Sequence, residues 1–124
     1  MSIFLRGIIT DERLPLVSDF HVVGVEQDTP VQVILDTGFS GMVVLPRATQ
    51  SLGRFIPSGV TAFELADGTI VREELFSGLV RIGRRQLEVV VSFTDSRIGL
   101  IGMALIEGKR ASFNLKSHKF TVYD

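Results

Sequence analysis

A carboxylate, a hydroxyl and a glycine stand together between two apolar segments in the stretch VQVILDTGFSGMVVLP, which covers residues 31–46. Asp36 follows the apolar residues 33–35, and residues 42–45 are apolar again. Burying even a neutral polar group without a partner costs about 2–7 kcal/mol, and an unpaired charge costs more. The pattern therefore has two interpretations. Asp36 shares its charge with a partner, or it belongs to a simpler structure, an Asx turn that ends a strand.

Two further elements accompany this stretch. Asp67-Gly68 lies between two alternating arms, which is a strong hairpin signal. Leu100-Ile101-Gly102 places a glycine directly after two apolar residues. In their order and spacing, VILDTGFSGMVVLP, FELADGTIV and IGLIGMALI resemble the aspartic proteases of the single-domain, retropepsin-like branch. Within that branch the chain looks more like the bacterial and archaeal group than like the viral enzymes, and the resemblance covers roughly residues 22–115.

The resemblance implies an aspartic endopeptidase that works as a homodimer, with one Asp36 from each subunit in a single active site. Two carboxylates about 4 Å apart repel each other by about 4 kcal/mol at an effective dielectric constant of 20. The pair would therefore hold one proton between its members. The ionised carboxylate would act as general base on a water molecule, and the protonated one would stabilise the substrate carbonyl. A peptide or protein would be the substrate, and neither a metal nor a cofactor is implied.

The resemblance also assigns roles to individual residues. The Thr37 hydroxyl would bond across the dimer axis, Gly38 would allow a tight turn with its N–H aimed at the carboxylate, and Ser40 would orient the outer carboxylate oxygen. The hairpin around Asp67-Gly68 would close over an extended peptide as a flap, and the segment ending at Gly102 would pack beneath the loop. The predicted catalytic residues are Asp36, Thr37 and Gly38, and the predicted substrate-binding residues are Phe39, Ser40, Ala66, Asp67, Gly68, Ile101 and Gly102.

Two departures from the viral pattern bear on this interpretation. Phe39 stands where a small residue usually follows the glycine, and it would narrow the pocket. Met103-Ala104 replace the Arg and Asp or Asn that support an ion-pair network between subunits, so residues 111–124, with residues 2–9, are expected to pair across the interface instead. Phe39 also favours an alternative function, an inactive peptide-binding or scaffolding relative. A phosphate-binding loop of the sugar-kinase type needs two large domains, for which this chain is too short.

The elements that must position these residues are mostly strands. Alternation and β-branched residues predict strands at 16–26, 31–36 and 42–46, with a turn at 27–30. Hairpins are predicted at 61–75, at 77–93 with a turn at Gly83-Arg84, and at 111–124. One short helix is expected from Pro46 to a stop at Gly53, and another after Gly102. The expected fold is all-β, a retropepsin-like barrel of about ten strands in a single domain covering residues 1–124.

Composition narrows the function classes further. The 124 residues are 45% hydrophobic and 22% charged, with a net charge of −1, so no strong field favours nucleic acid or an anionic membrane. The absence of cysteine excludes disulfides and thiolate metal sites, and His21 and His118 have no second ligand at metal spacing. Residues 1–10 lack the apolar core of a signal peptide, and no stretch is long enough to cross a membrane, which predicts a cytoplasmic protein.

Overall fold

The chain is built almost entirely of β-strands. The computed structural model describes residues 2–124, and these residues form twelve strands and one turn of 3-10 helix at Arg47–Thr49. The all-β class predicted from the sequence is therefore confirmed. The strands are β1 (Ile3–Ile9), β2 (Pro15–Val17), β3 (Phe20–Val23), β4 (Asp28–Pro30), β5 (Val33–Leu35), β6 (Val43–Pro46), β7 (Ile56–Glu64), β8 (Ile70–Ile82), β9 (Arg85–Thr94), β10 (Gly99–Ile101), β11 (Arg110–Asn114) and β12 (Lys119–Tyr123).

The strands form one mixed sheet with the order β11-β12-β1-β2-β5-β10-β6-β9-β8-β3-β4, and β7 pairs with β8 outside this path. Most neighbours are antiparallel, whereas β5 pairs with β10, and β6 with β9, in parallel. The path is open, with β11 and β4 at its two ends. The core side chains come from most of these strands, and Val22, Val33, Leu45, Val80 and Ile101 among them are fully buried.

The predicted strand 16–26 is wrong as one continuous element. Asp19 adopts a left-handed conformation with φ of 59°, which interrupts the strand. The first part, β2, pairs with β1, and the second part, β3, pairs with β8 and β4. The predicted turn at 27–30 is also displaced, because residues 28–30 form β4 and the chain reverses earlier, where Gly24 N donates to the Gln27 carbonyl at 3.1 Å.

The two predicted helices are reduced to turns. After Pro46 one 3-10 turn forms, and after Gly102 successive turns are closed by bonds from Leu105 N to the Gly102 carbonyl and from Ile106 N to the Met103 carbonyl, both 3.2 Å. So short a helix gains few hydrogen bonds against the cost of its first turn. Burial of Leu105 and Ile106, each 7% exposed, holds the second segment in place instead.

The three predicted hairpins are confirmed. β7 and β8 join around residues 66–68, β8 and β9 join at Gly83-Arg84, and β11 and β12 form the last hairpin. The strand β8 is longer than predicted, because its 13 residues belong to both of the first two hairpins.

The segments expected to pair with a partner chain pair with each other. β1 lies between β12 and β2, and β12 lies between β1 and β11, so the outer edge of β11 is the unpaired edge of this group. The end of β12 is fixed by charge: Arg85 Nη1 donates to Asp124 Oδ1 at 2.8 Å, and Ser2 Oγ donates to the same carboxylate. These hydrogen bonds, that from Arg85 first, hold the pKa of Asp124 well below its usual range.

Within residues 2–124, the structure contains no helix that is both apolar and long enough to span a membrane.

Candidate active site

The loop that carries Asp36 is positioned by a parallel pair of strands. β5 ends at Leu35 and β10 ends at Ile101, and these two residues are partners in the parallel register. Asp36 N donates to the Ile101 carbonyl at 2.9 Å, which fixes the first residue of the loop to the end of β10. The fold therefore brings together the two motifs that the sequence analysis singled out, the tripeptide at 36–38 and the glycine at 102.

The Asp36 carboxylate is held by the loop itself. Gly38 N donates to Asp36 Oδ1 at 2.8 Å, and Phe39 N donates to the Asp36 carbonyl at 3.2 Å. The N–H of Gly38 thus points at the carboxylate as the sequence predicts. This hydrogen bond is also the one that defines an Asx turn. The Asp36 side chain remains half-buried in the single chain, so it stays accessible to water and to a partner.

The loop differs from an ordinary Asx turn because the backbone of residues 102–103 is hydrogen-bonded beneath it. Gly102 N donates to the Met42 carbonyl at 2.9 Å, and Met103 N donates to the Phe39 carbonyl at 2.8 Å. A Cβ atom on Gly102 would stand 2.2 Å from the Gly41 carbonyl oxygen, so the close approach requires glycine there. The predicted packing of this segment under the loop is confirmed. Because Ile101 is fully buried and Gly102 is also buried, both support the loop from below.

Phe39 packs inward on two glycines. A Cβ atom on Gly41 would lie 2.5 Å from Phe39 Cζ, and one on Gly102 would lie 2.5 Å from Phe39 Cδ2. The ring therefore occupies space that the missing side chains at 41 and 102 leave free. The sequence analysis expected the ring to narrow the pocket, and the structure places it half-buried against the loop's own support.

Thr37 and Ser40 are both exposed on the loop. The bond from Thr37 across a dimer axis remains a prediction. The expected bond from Ser40 to Asp36 is not formed within residues 2–124, where the side-chain hydrogen bond of Asp36 comes from Gly38 N. Ser40 instead lines a cavity that lies between this loop and the β7–β8 hairpin.

Three open cavities border the loop, and the third of them, of about 590 Å³, lies between Ser40 and residues 103–111. The first, here called the Asp36 cavity, has a volume of about 560 Å³ and is lined by Asp36 and Thr37 together with Arg13, Leu14, Leu100 and Phe113. The second, here called the hairpin cavity, has a volume of about 570 Å³ and lies between residues 38–44 and the arms of the β7–β8 hairpin. Other surface cavities of this chain have similar volumes, of about 410–590 Å³, so the Asp36 cavity is singled out by the carboxylate in its wall and not by its size. Leu100, which precedes the predicted pair at 101–102, is the residue of that motif that reaches a cavity.

The hairpin meets its cavity through its arms. Thr61 on β7 and Glu73 on β8 are register partners, and both line the hairpin cavity with Leu75. The predicted tip residues Ala66, Asp67 and Gly68 are exposed and do not line it. The sequence analysis missed the arm residues, although the alternation that places 73 and 75 on one face was a usable signal.

The tip is instead closed on itself. Thr69 N donates to Asp67 Oδ1 at 2.9 Å. The side-chain hydrogen bond with Thr69 first, and this backbone hydrogen bond second, lower the pKa of Asp67. Within residues 2–124 no three His, Cys, Asp or Glu side chains are grouped closely enough to hold a metal ion.

Comparison with known proteins gives one kind of match. No family model matches the sequence, and no curated protein sequence matches it significantly. Among solved structures, the fold is similar to that of a retropepsin-like aspartic protease from Rickettsia conorii, with 18% identity, a TM-score of 0.57, and coverage of 99% of this chain and 95% of that chain. The likeness confirms the predicted all-β, retropepsin-like fold.

Proposed function

We propose that the protein is an aspartic endopeptidase in which two chains each contribute Asp36 to one active site. The observation that carries the proposal is the position of Asp36: the carboxylate lies at the ends of the parallel strands β5 and β10, one oxygen bound by Gly38 N–H, at the wall of an open cavity. The retropepsin-like fold supports the assignment.

A single chain supplies half of the required chemistry. The tripeptide Asp-Thr-Gly occurs once in the sequence, so the second carboxylate must come from a second copy. In the proposed dimer the two Asp36 side chains share one proton. The ionised member removes a proton from water, whose oxygen attacks the peptide carbonyl carbon. The protonated member donates a hydrogen bond to the carbonyl oxygen as negative charge develops there.

The inward position of Phe39 supports activity over the inactive alternative. The ring packs on Gly41 and Gly102, and within residues 2–124 Phe39 lines the hairpin cavity and not the Asp36 cavity. A peptide can therefore approach the carboxylate from that side without displacing the ring. The β7–β8 hairpin borders the second cavity through its arms. In the proposed complex it covers the bound peptide and excludes water.

The decisive experiment compares Asp36→Asn with a matched surface control. Asp95→Asn removes a carboxylate that is 90% exposed and is paired only with Arg47. With a mixed peptide library as substrate, Asp36→Asn should lower kcat at least about 10³-fold, because a general base and its proton partner are lost together. Circular dichroism should remain that of the parent, and Asp95→Asn should cleave at the parent rate. Equal cleavage by Asp36→Asn and the parent would refute the mechanism, and binding without any Asp36-dependent product would favour the inactive alternative.

Dimer dependence gives an independent test of the same proposal. While the dimer is the minor species, its concentration rises with the square of the protein concentration, so the rate should rise faster than linearly. The rate should also be higher at acidic pH, where the shared proton is retained. Sedimentation that finds a monomer at concentrations where the rate per chain is constant would contradict the proposal, as would a rate that climbs steadily to alkaline pH.

A further inference from the structure

Of the three cavities beside the loop, the Asp36 cavity and the hairpin cavity are lined by charges of opposite sign, whereas the third is lined by both Glu107 and Lys109. Apart from Asp36 itself, the charged residue in the Asp36 cavity is Arg13, and its neighbours Leu14, Leu100 and Phe113 are apolar. Within residues 2–124, no carboxylate lies at ion-pair distance from Arg13. Arg13 is exposed beside the apolar wall of this cavity, where a carboxylate of a bound peptide could reach it.

Within residues 2–124, Arg13 is one of three non-glycine residues with a left-handed backbone, beside Asp19 and His118, and of the three it is the one that lines the Asp36 cavity. Arg13 has φ of 65°, a left-handed conformation that is unfavourable for a residue with a Cβ atom. The turn is closed by hydrogen bonds from Arg13 N to the Thr10 carbonyl at 2.8 Å and from Thr10 N to the Leu14 carbonyl at 2.9 Å. Glycine would fit this position without strain. Unfavourable backbone conformations of this kind are concentrated at functional sites.

The hairpin cavity carries the opposite charge. Glu73 is half-buried on β8, and it is the charged residue among those that line this cavity within the described residues. No cation lies at ion-pair distance from it in the same part of the chain. Its neighbours in the wall include the apolar Met42, Leu75 and Val90. A ligand in this cavity would therefore gain from a positive charge.

We propose that Arg13 and Glu73 are specificity-determining residues that select an extended peptide carrying both acidic and basic side chains around an apolar centre. The acidic side chain would pair with Arg13 in the Asp36 cavity, and the basic one would pair with Glu73 in the hairpin cavity. The inference rests on the proposed function, since it takes the occupant of both cavities to be the peptide substrate. Opposite charges across an interface favour the matching partner and penalise the like-charged one.

The test uses peptides with one apolar centre and flanking residues drawn from Glu, Lys and Gln in every combination. The parent protein should cleave peptides with both charges about 5-fold faster, in kcat/KM, than those flanked by Gln alone, and the preference should shrink in 1 M salt. Arg13→Glu should shift the preference toward Lys-only flanks and Glu73→Lys toward Glu-only flanks, each by about 10-fold. The double variant should again prefer mixed flanks, because both charges are reversed together.

Matched controls separate pairing from general charge effects. Glu74→Lys changes the neighbouring carboxylate, which is exposed, and Arg84→Glu changes an exposed arginine in a different turn. Both should keep the parent preference. The inference would be overturned if Arg13→Glu or Glu73→Lys lowered kcat/KM equally for all peptides, or if either variant left the charge preference unchanged.

Binding separates the failure of this inference from the failure of the proposed function. The same peptides are titrated into Asp36→Asn by fluorescence anisotropy, which needs no cleavage. A charge preference in Kd without cleavage by the parent would support the inference and refute the protease assignment. Cleavage with no charge preference in rate or Kd would refute the inference alone, and neither binding nor cleavage of any peptide would refute both.

Discussion

Two hairpin turns of this protein have the same backbone and different residues at the same position. In the β1–β2 turn, Arg13 N bonds to the Thr10 carbonyl and Thr10 N to the Leu14 carbonyl. In the β7–β8 turn, Gly68 N bonds to the Leu65 carbonyl at 2.9 Å and Leu65 N to the Thr69 carbonyl at 2.7 Å. The third loop residue is left-handed in both, with φ of 65° at Arg13 and 87° at Gly68.

The two turns differ in how much strain their left-handed residue carries. Glycine adopts a left-handed conformation without strain, whereas a residue with a Cβ atom pays about 1–2 kcal/mol for it. Gly68 is exposed at the hairpin tip and lines none of the three cavities beside the loop, while Arg13 lines the Asp36 cavity. The strained turn is therefore the one that lies beside the candidate catalytic carboxylate.

The largest loss of stability is expected at a glycine whose missing side chain leaves room for a neighbouring backbone, rather than at one that provides a left-handed conformation. Gly102 is not left-handed, yet an added Cβ atom would stand 2.2 Å from the Gly41 carbonyl oxygen. Gly102→Ala should lower the free energy of unfolding by about 3 kcal/mol, since the carbonyl oxygens of Gly41 and Phe39, at 2.2 and 2.6 Å from the added atom, are backbone and cannot give way easily. Urea denaturation measures the change. A loss no larger than that of Gly68→Ala, whose Cβ atom would meet nothing closer than 4.0 Å, would contradict the crowding argument.

The next effect compares the two turns directly. Gly68→Val should lower the free energy of unfolding by about 2 kcal/mol, because a β-branched residue is especially unfavourable at positive φ. Arg13→Val should lower it by less than about 1 kcal/mol, because Arg13 already carries most of that strain. Thermal denaturation of both variants checks the order, and equal losses would show that the turns do not differ in strain.

An increase in stability is expected when the backbone strain at Arg13 is removed. Arg13→Gly should raise the free energy of unfolding by about 0.5–1 kcal/mol, since relief of the left-handed conformation exceeds the added entropy of glycine in the unfolded chain. The same variant should lose the preference for acidic flanking residues in peptides. Arg84→Gly, at an exposed position of another turn, serves as the control and should not stabilise the protein. A less stable Arg13→Gly variant would refute the assignment of strain to Arg13.

The smallest expected effect is a difference in pH dependence between the two turns. The amide after each left-handed residue has a side-chain acceptor: the Thr10 hydroxyl accepts from Leu14 N at 3.2 Å, and the Asp67 carboxylate accepts from Thr69 N at 2.9 Å. Because the pKa of Asp67 is lowered in the fold, its contribution to stability is present above the unfolded pKa, about 3.9, and is lost as pH falls through the folded value. The Thr69 amide resonance should therefore titrate with a midpoint below that of a free aspartate, and should stop doing so in Asp67→Asn. A midpoint at or above the free value would contradict the assignment.

The sequence predicted the features that depend on local patterns. The alternation and the Asp67-Gly68 and Gly83-Arg84 turns predicted the hairpins, whereas the meeting of the loops at 36–38 and 100–102 was implied by the resemblance to aspartic proteases and not by a local pattern. It did not predict the break at Asp19, because a left-handed aspartate has no neighbour pattern of its own. The apolar residues Leu105 and Ile106 were read as helical, although their burial in the core decides their conformation. The positions of Arg13, Glu73 and Phe39 depend on contacts between distant segments, which a pattern within one strand does not contain.

The parallel register of β5 and β10 also sets an order of assembly. Residues 33–35 have residues 99–101 as their neighbours, and Asp36 N receives its acceptor from Ile101. During synthesis from the amino terminus, the β7–β8 hairpin is complete while the strand that must hold the Asp36 loop has not yet emerged from the ribosome. Contacts so distant in sequence form late and slowly. The support of the Asp36 loop is therefore completed only after residues 99–102 have been made, later than the β7–β8 hairpin of residues 56–82.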